Sequence, residues 1–251
     1  MDTMTTLFNQ TSLDSGALAG LSTVVHKFTQ SGPHTLAVVQ NDTAVHQMQL
    51  NVSIPESTPA NVASRVVAAV SDGLNQPGGV QPNVDLARFH QLGNQLAEVA
   101  VETAIGGYVA FHAMTGATGY AVRVDPPPTP PASEGVSRVA TAPSGPAEAF
   151  DSRRLGPGDS FATVLLRPGT YRMANANGGS AGTITVSFPV TIPGTPYRPP
   201  DPAVVECQAA GFVPASVSLK PAQGIIVHIN TPARVTIDLS APDDGPGRPA
   251  R

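Results

Sequence analysis

His46-Gln47-Met48 and His112-Ala113-Met114 carry the same pattern, an imidazole and a thioether two residues apart. Residues two apart on a strand point to the same side. Each motif can therefore present both donors together. His46, Met48, His112 and Met114 combined would make a His₂Met₂ set, a soft donor group that suits Cu(I). That chemistry requires the two motifs to converge. The competing reading is packing: Met48 and Met114 as core side chains, and the two histidines as half-buried strand residues bonded to backbone.

Other chemistry has little support. The chain contains no G-x-S-x-G elbow, H-E-x-x-H, P-loop or EF-hand loop. GGSAG and TGATG join strands instead of opening a helix, so they read as turns and not as phosphate cradles. Asp42, Asp72, Asp85, Glu98 and Glu102 read as solvated charge. His26, His34, His90 and His228 read as surface or hydrogen-bonded strand histidines. Cys207, beside Glu206, reads as a buried, inert thiol. Tyr108 and Tyr171 follow glycine-containing turns and read as structural, with the hydroxyl bonded to nearby backbone.

The elements that must position these residues are strands. Charged residues make up only 13% of the 251, while Gly (24) and Pro (26) are abundant, which favours short strands and turns over long helices. A formal net charge of −4 without a basic block gives nucleic acid or an anionic membrane nothing to grip. No apolar run approaches the ~18 residues of a membrane span. No secretory signal is recognisable after Met1, and the single cysteine rules out an intramolecular disulfide, so a cytoplasmic location is expected.

STVVHKF, HTLAVVQ and HQMQLNVSI read as strands, with a turn at NDT, residues 41–43. Residues 59–75 read as one amphipathic helix, with Pro59 in its first turn and Val62, Val66, Val70 and Leu74 on one face. DLARFHQL reads as a short helical turn. Strands resume at LAEVAVETA, YVAFHAM and YAVRV. Residues 126–149 are a Pro/Ala-rich linker. A second β region covers 150–240, and 241–251 is expected to be a disordered tail.

Two internal correspondences suggest a repeat. Residues 92–119 align with 155–182 without a gap, placing Gly106 on Gly169 and Tyr108 on Tyr171. VVQNDTAVHQMQL (38–50) aligns more faintly with VHINTPARVTIDL (227–239). The two correspondences occur in opposite order, so the second unit is expected to be permuted or strand-exchanged.

LRPGTYRMANANGGSAGTITV (166–186) and VECQAAGFVPASVSLKPAQGIIVHIN (205–230) resemble segments of the cupredoxins, the Greek-key β-sandwiches that hold blue copper. The resemblance implies two cupredoxin-like domains, 1–125 with the inserted helix and 150–240 permuted. It also implies loss of the usual ligands. Asn175, Gly178 and Val235 fall on ligand positions in the second domain. In the first domain His46 falls on the first histidine, but His112 stands in place of the cysteine and Thr115 in place of the second histidine. Without thiolate, blue-copper electron transfer is not expected.

The expected function is therefore a non-enzymatic structural or interaction module, an accessory subunit or a self-assembling protein, with a protein partner or further copies of itself. The alternative is a copper storage or transfer protein using His46, Met48, His112 and Met114. An enzyme with its site at the domain junction ranks last, because no residue constellation for it is visible.

Overall fold

The computed structural model describes residues 10–53, 83–88, 101–113, 119–127, 150–188, 194, 196–243 and 245. The described chain is mainly β, in three sheets. The largest has seven strands in the order β14 (Gly211–Val213), β13 (Ala203–Gln208), β16 (Gly224–Ile229), β10 (Ser160–Val164), β2 (Ser22–Lys27), β7 (Tyr108–His112) and β5 (Asn83–Asp85). A five-stranded sheet follows the order β1 (Ser12–Asp14), β17 (Val235–Pro242), β11 (Gly169–Asn175), β12 (Ala181–Val186) and β15 (Ser216–Leu219). The other runs β6 (Val101–Ala104), β4 (Thr43–Ser53), β3 (Gly32–Gln40), β8 (Tyr120–Asp125) and β9 (Phe150–Asp151).

Alternation decides which face of each strand is buried. Val24, Phe111, Phe161, Val205, Val227 and Cys207 turn to one face of the seven-stranded sheet and are fully enclosed. They join a single hydrophobic cluster with inward residues of both five-stranded sheets, such as Leu36, Leu50, Val122, Met173, Ile184 and Ile237. Val24 and Phe161 are directly paired across β2 and β10, so both halves of the chain bury the same face of one sheet. The result is sandwich-like: the long sheet forms one layer and the two shorter sheets the other.

The strand pairings reveal a repeat. β2 and β10 lie side by side, flanked by β7 and β16 and then by the parallel neighbours β5 and β13. In the short sheets, β3–β4 matches β11–β12, β8 matches β17, and the parallel neighbours β6 and β15 match. Residues 13–38 correspond to 150–175 without a gap. Asp14-Ser15 thus answers Asp151-Ser152. Ser15 Oγ accepts from the Val235 amide at 3.2 Å, and Ser152 Oγ from the Val122 amide at 3.0 Å. Positive φ recurs at matched sites: Leu21 (69°) and Gly158 (93°), Gly32 (120°) and Gly169 (147°), Gly106 (83°) and Ala222 (59°).

The first strand of each repeat is exchanged. β1 extends the sheet of the second repeat by pairing with β17, and β9 extends that of the first by pairing with β8. The remaining strands run in the same order in both repeats, so exchange relates the two units and no permutation between them is needed. The correspondences expected from the sequence, 92–119 with 155–182 and 38–50 with 227–239, do not join equivalent strands. Tyr108 lies on β7 in the long sheet, whereas Tyr171 lies on β11 in a short one. Tyr171 is buried and its hydroxyl donates to the Arg167 carbonyl at 2.7 Å, whereas Tyr108 is exposed beneath Lys27 Nζ, 5.8 Å from its ring centroid. Residues 38–50 span a hairpin turned by Asn41 and Asp42, both at positive φ, while 227–239 cross between sheets.

The expected helix at 59–75 lies outside the described residues, as does the linker from 128 onward. The last strand runs to Pro242, two residues into the segment read as a tail. Residues 86–88 form a helical turn whose Ala87 amide donates to Asp85 Oδ1 at 3.1 Å. Asp85 is thus a buried cap of that turn and not solvated charge.

The exchanged β1 is clasped by charge. Arg234 donates from Nε and Nη2 to the two Asp14 oxygens, at 3.0 and 2.7 Å. A Cβ on Gly16 would lie 2.7 Å from Arg234 Nε, so the clasp depends on that glycine. The pair is partly exposed, which limits its worth. Arg234→Ala is expected to cost about 1 kcal/mol, measured by urea unfolding, and an unchanged midpoint would contradict the clasp.

Candidate functional site

Two places on this framework can engage other molecules. The first is the outer face of the seven-stranded sheet. Among the described residues no second layer of strands covers it. Val25, Ala162, Val164 and Ile226 point outward and are half-buried, while Val204 (50%) and Val213 (51%) are exposed. Val204 pairs with Ile226, and Glu206 pairs with Val213, so these side chains share one face. Glu206, His228 and Ser160 form a polar row across the face between Val213 and Val25, with Ser160 Oγ 2.8 Å from His228 Nδ1, and Lys27 and Tyr108 lie beyond it.

The second is a cavity of about 150 Å³ at the junction of the repeats. β2 brings His26, β3 brings His34, and the loop before β10 brings Asp159. His26 Nδ1 lies 2.6 Å from Asp159 Oδ1, and Asp159 Oδ2 accepts from the Gly156 amide at 2.7 Å. The Asp159 side chain is 5% exposed and His26 19%. Phe150 stacks on the His26 ring at 4.3 Å, and Phe28 meets both imidazoles edge-on, at 4.7 Å from His26 and 5.3 Å from His34. His34 Nδ1 lies 3.0 Å from the Gly32 carbonyl oxygen, which sets it as the N–H donor. Arg154 stands on the rim, exposed, with no ion-pair partner among the described residues.

Burial pushes the His34 pKa below 6.5, against the raising effect of its Gly32 hydrogen bond and with a lowering contribution from His26. The unfolded chain then binds the extra proton first as pH falls. The stabilisation is complete above about 6.5 and is lost on acidification through the lower, folded value. Wild type is expected to lose more stability between about pH 7 and pH 5 than His34→Gln does. Parallel pH profiles in urea titrations would contradict this.

Of the four copper candidates, the three that are described lie on two different sheets. His46 and Met48 lie on the inward face of β4, opposite Val38 and Leu36. His112 pairs with Thr23 on the outward face of β7, and Met114 lies outside the described residues. Among the described residues no three His, Cys, Asp or Glu side chains are placed to hold a metal ion. Cys207 is buried, and desolvation pushes its thiol pKa up, which suppresses the nucleophilic thiolate.

The His26–Asp159 pair escapes sequence reasoning because its members lie 133 residues apart and meet only through the β2–β10 pairing. The available signal is a polar residue, His26, on the inward phase of a strand otherwise marked by Val24 and Phe28. No family model, curated protein or solved structure matches the chain.

Proposed function

We propose that the chain is a non-enzymatic interaction module that associates with a second copy of itself through the outer face of the seven-stranded sheet, on a degenerate cupredoxin-like framework. The observation that carries this reading is the exposed pair Val204 and Val213 on a face lined by Val25, Ala162, Val164 and Ile226. A patch of a few hundred Å² matches the largest apolar patch of a typical monomer, and such patches are often functional. An isologous contact would set this patch against the same patch of the second copy. The buried Tyr171 corner after Pro168-Gly169 supports the cupredoxin-like frame.

The face is roughly 20–25 Å wide at strand spacing and 17–20 Å long, or about 450 Å² per copy. Two copies would bury about 900 Å², below the roughly 1,200 Å² at which specific, stable interfaces begin. The association is therefore expected to be weak and reversible. Sedimentation velocity over a wide concentration range tests it: a sedimentation coefficient that climbs with concentration is expected, and a constant monomer value contradicts it.

A further inference from the structure

We propose that the junction cavity is a binding site for a small monocarboxylate with an apolar body about the size of one aromatic ring. The first support is the way the donors are tied. His26 presents its Nδ1 to Asp159 and His34 its Nδ1 to the Gly32 carbonyl, leaving both Nε2 atoms without a partner among the described residues. His34 is 6% exposed and lines the cavity beside His26.

The second support comes from the repeat itself. The fold builds the same position twice. In the second repeat, Thr163 stands for His26, Tyr171 for His34, Ser22 for Asp159, Leu165 for Phe28 and Ala17 for Arg154. Thr163 donates to the Leu21 carbonyl at 2.9 Å and Tyr171 to that of Arg167 at 2.7 Å, while the Ser22 hydroxyl is buried without a hydrogen-bond partner. The twin thus folds without imidazole, carboxylate or guanidinium. The fold does not need them, so their presence at one position of two points to a ligand and not to architecture.

The lining states the ligand's chemistry. Arg154, with no ion-pair partner among the described residues, offers the planar fork that a carboxylate accepts. His26, tied to Asp159 through Nδ1, is the second polar group of the lining. Phe28, Phe150 and Val124 form the apolar wall. A volume of about 150 Å³ accommodates one benzene-sized body. One guanidinium and one imidazole, with Asp159 already engaged, favour a monoanion over a phosphate dianion.

Benzoate is the probe, with benzyl alcohol as its uncharged counterpart. Titrations of the full chain are followed by calorimetry and by the imidazole ¹⁵N resonances. Saturable 1:1 binding of benzoate with a Kd of order 1 mM or tighter is expected, shifting the His26 and His34 resonances. Benzyl alcohol and the Arg154→Gln variant should each weaken binding at least about tenfold. Arg154 is exposed, so that variant retains the fold; His34→Gln supplies a second test in the wall. No saturable shift, or binding indifferent to both the carboxylate and Arg154, overturns the proposal.

Discussion

Phe161→Ala should lower stability by about 3–5 kcal/mol, and the whole described β structure should still unfold in one transition. Phe161 is fully buried on β10 and faces the first repeat directly through its pairing with Val24. A ring removed there leaves a cavity at the seam, where neither repeat can close over it without moving the other. The single transition follows from continuity. One sheet crosses both repeats, one cluster holds both cores, and β1 and β9 are each committed to the opposite repeat. Scanning calorimetry and denaturation followed by two probes would check it. Two separated transitions, with only the later half of the chain responding to Phe161→Ala, would show the repeats to be independent.

The second large effect concerns association. Val204→Arg with Val213→Arg places two like charges on the outer face. Both side chains are about half exposed in the single chain, so the fold should lose little. In a face-to-face pair the two arginines of each copy would be buried beside a single carboxylate, Glu206, which cannot compensate both, and the excess charge disfavours the pair. The double variant is therefore expected to be monomeric at every concentration where the wild type self-associates. A Lys27→Glu change at the edge, where the cation already lies over Tyr108, should have a much smaller effect.

Much of the local structure is legible from pattern alone. STVVHKF, HTLAVVQ and YAVRV each show a strand rhythm, and each is a strand. Asn41-Asp42 is a turn signal and sits at the tip of the β3–β4 hairpin. Pairing between distant strands is not legible in this way. The gap-free match of residues 13–38 to 150–175 rests on few identities: Asp14, Ser15, Leu18, Gly32 and Ala37. Alternating apolar residues at the other positions fit several registers, so a rival alignment built on glycines and tyrosines carries more identities and is still wrong.

The candidate sites show the same division. His46 and His112 attract attention because each lies two residues from a methionine, a feature of spacing. Whether two strands present those residues to one point depends on the phase of each strand within its sheet. β4 turns His46 inward and β7 turns His112 outward. His26 and Asp159 carry no local motif, and only the seam between the repeats brings them to 2.6 Å.

The most direct test of the central claim is sedimentation velocity of wild type beside the Val204→Arg, Val213→Arg variant, with matched thermal melts. The expected result is reversible self-association in the wild type, its loss in the variant, and the same melting temperature for both at dilutions where each is a single chain. Equal association in the two proteins would contradict pairing through the seven-stranded sheet.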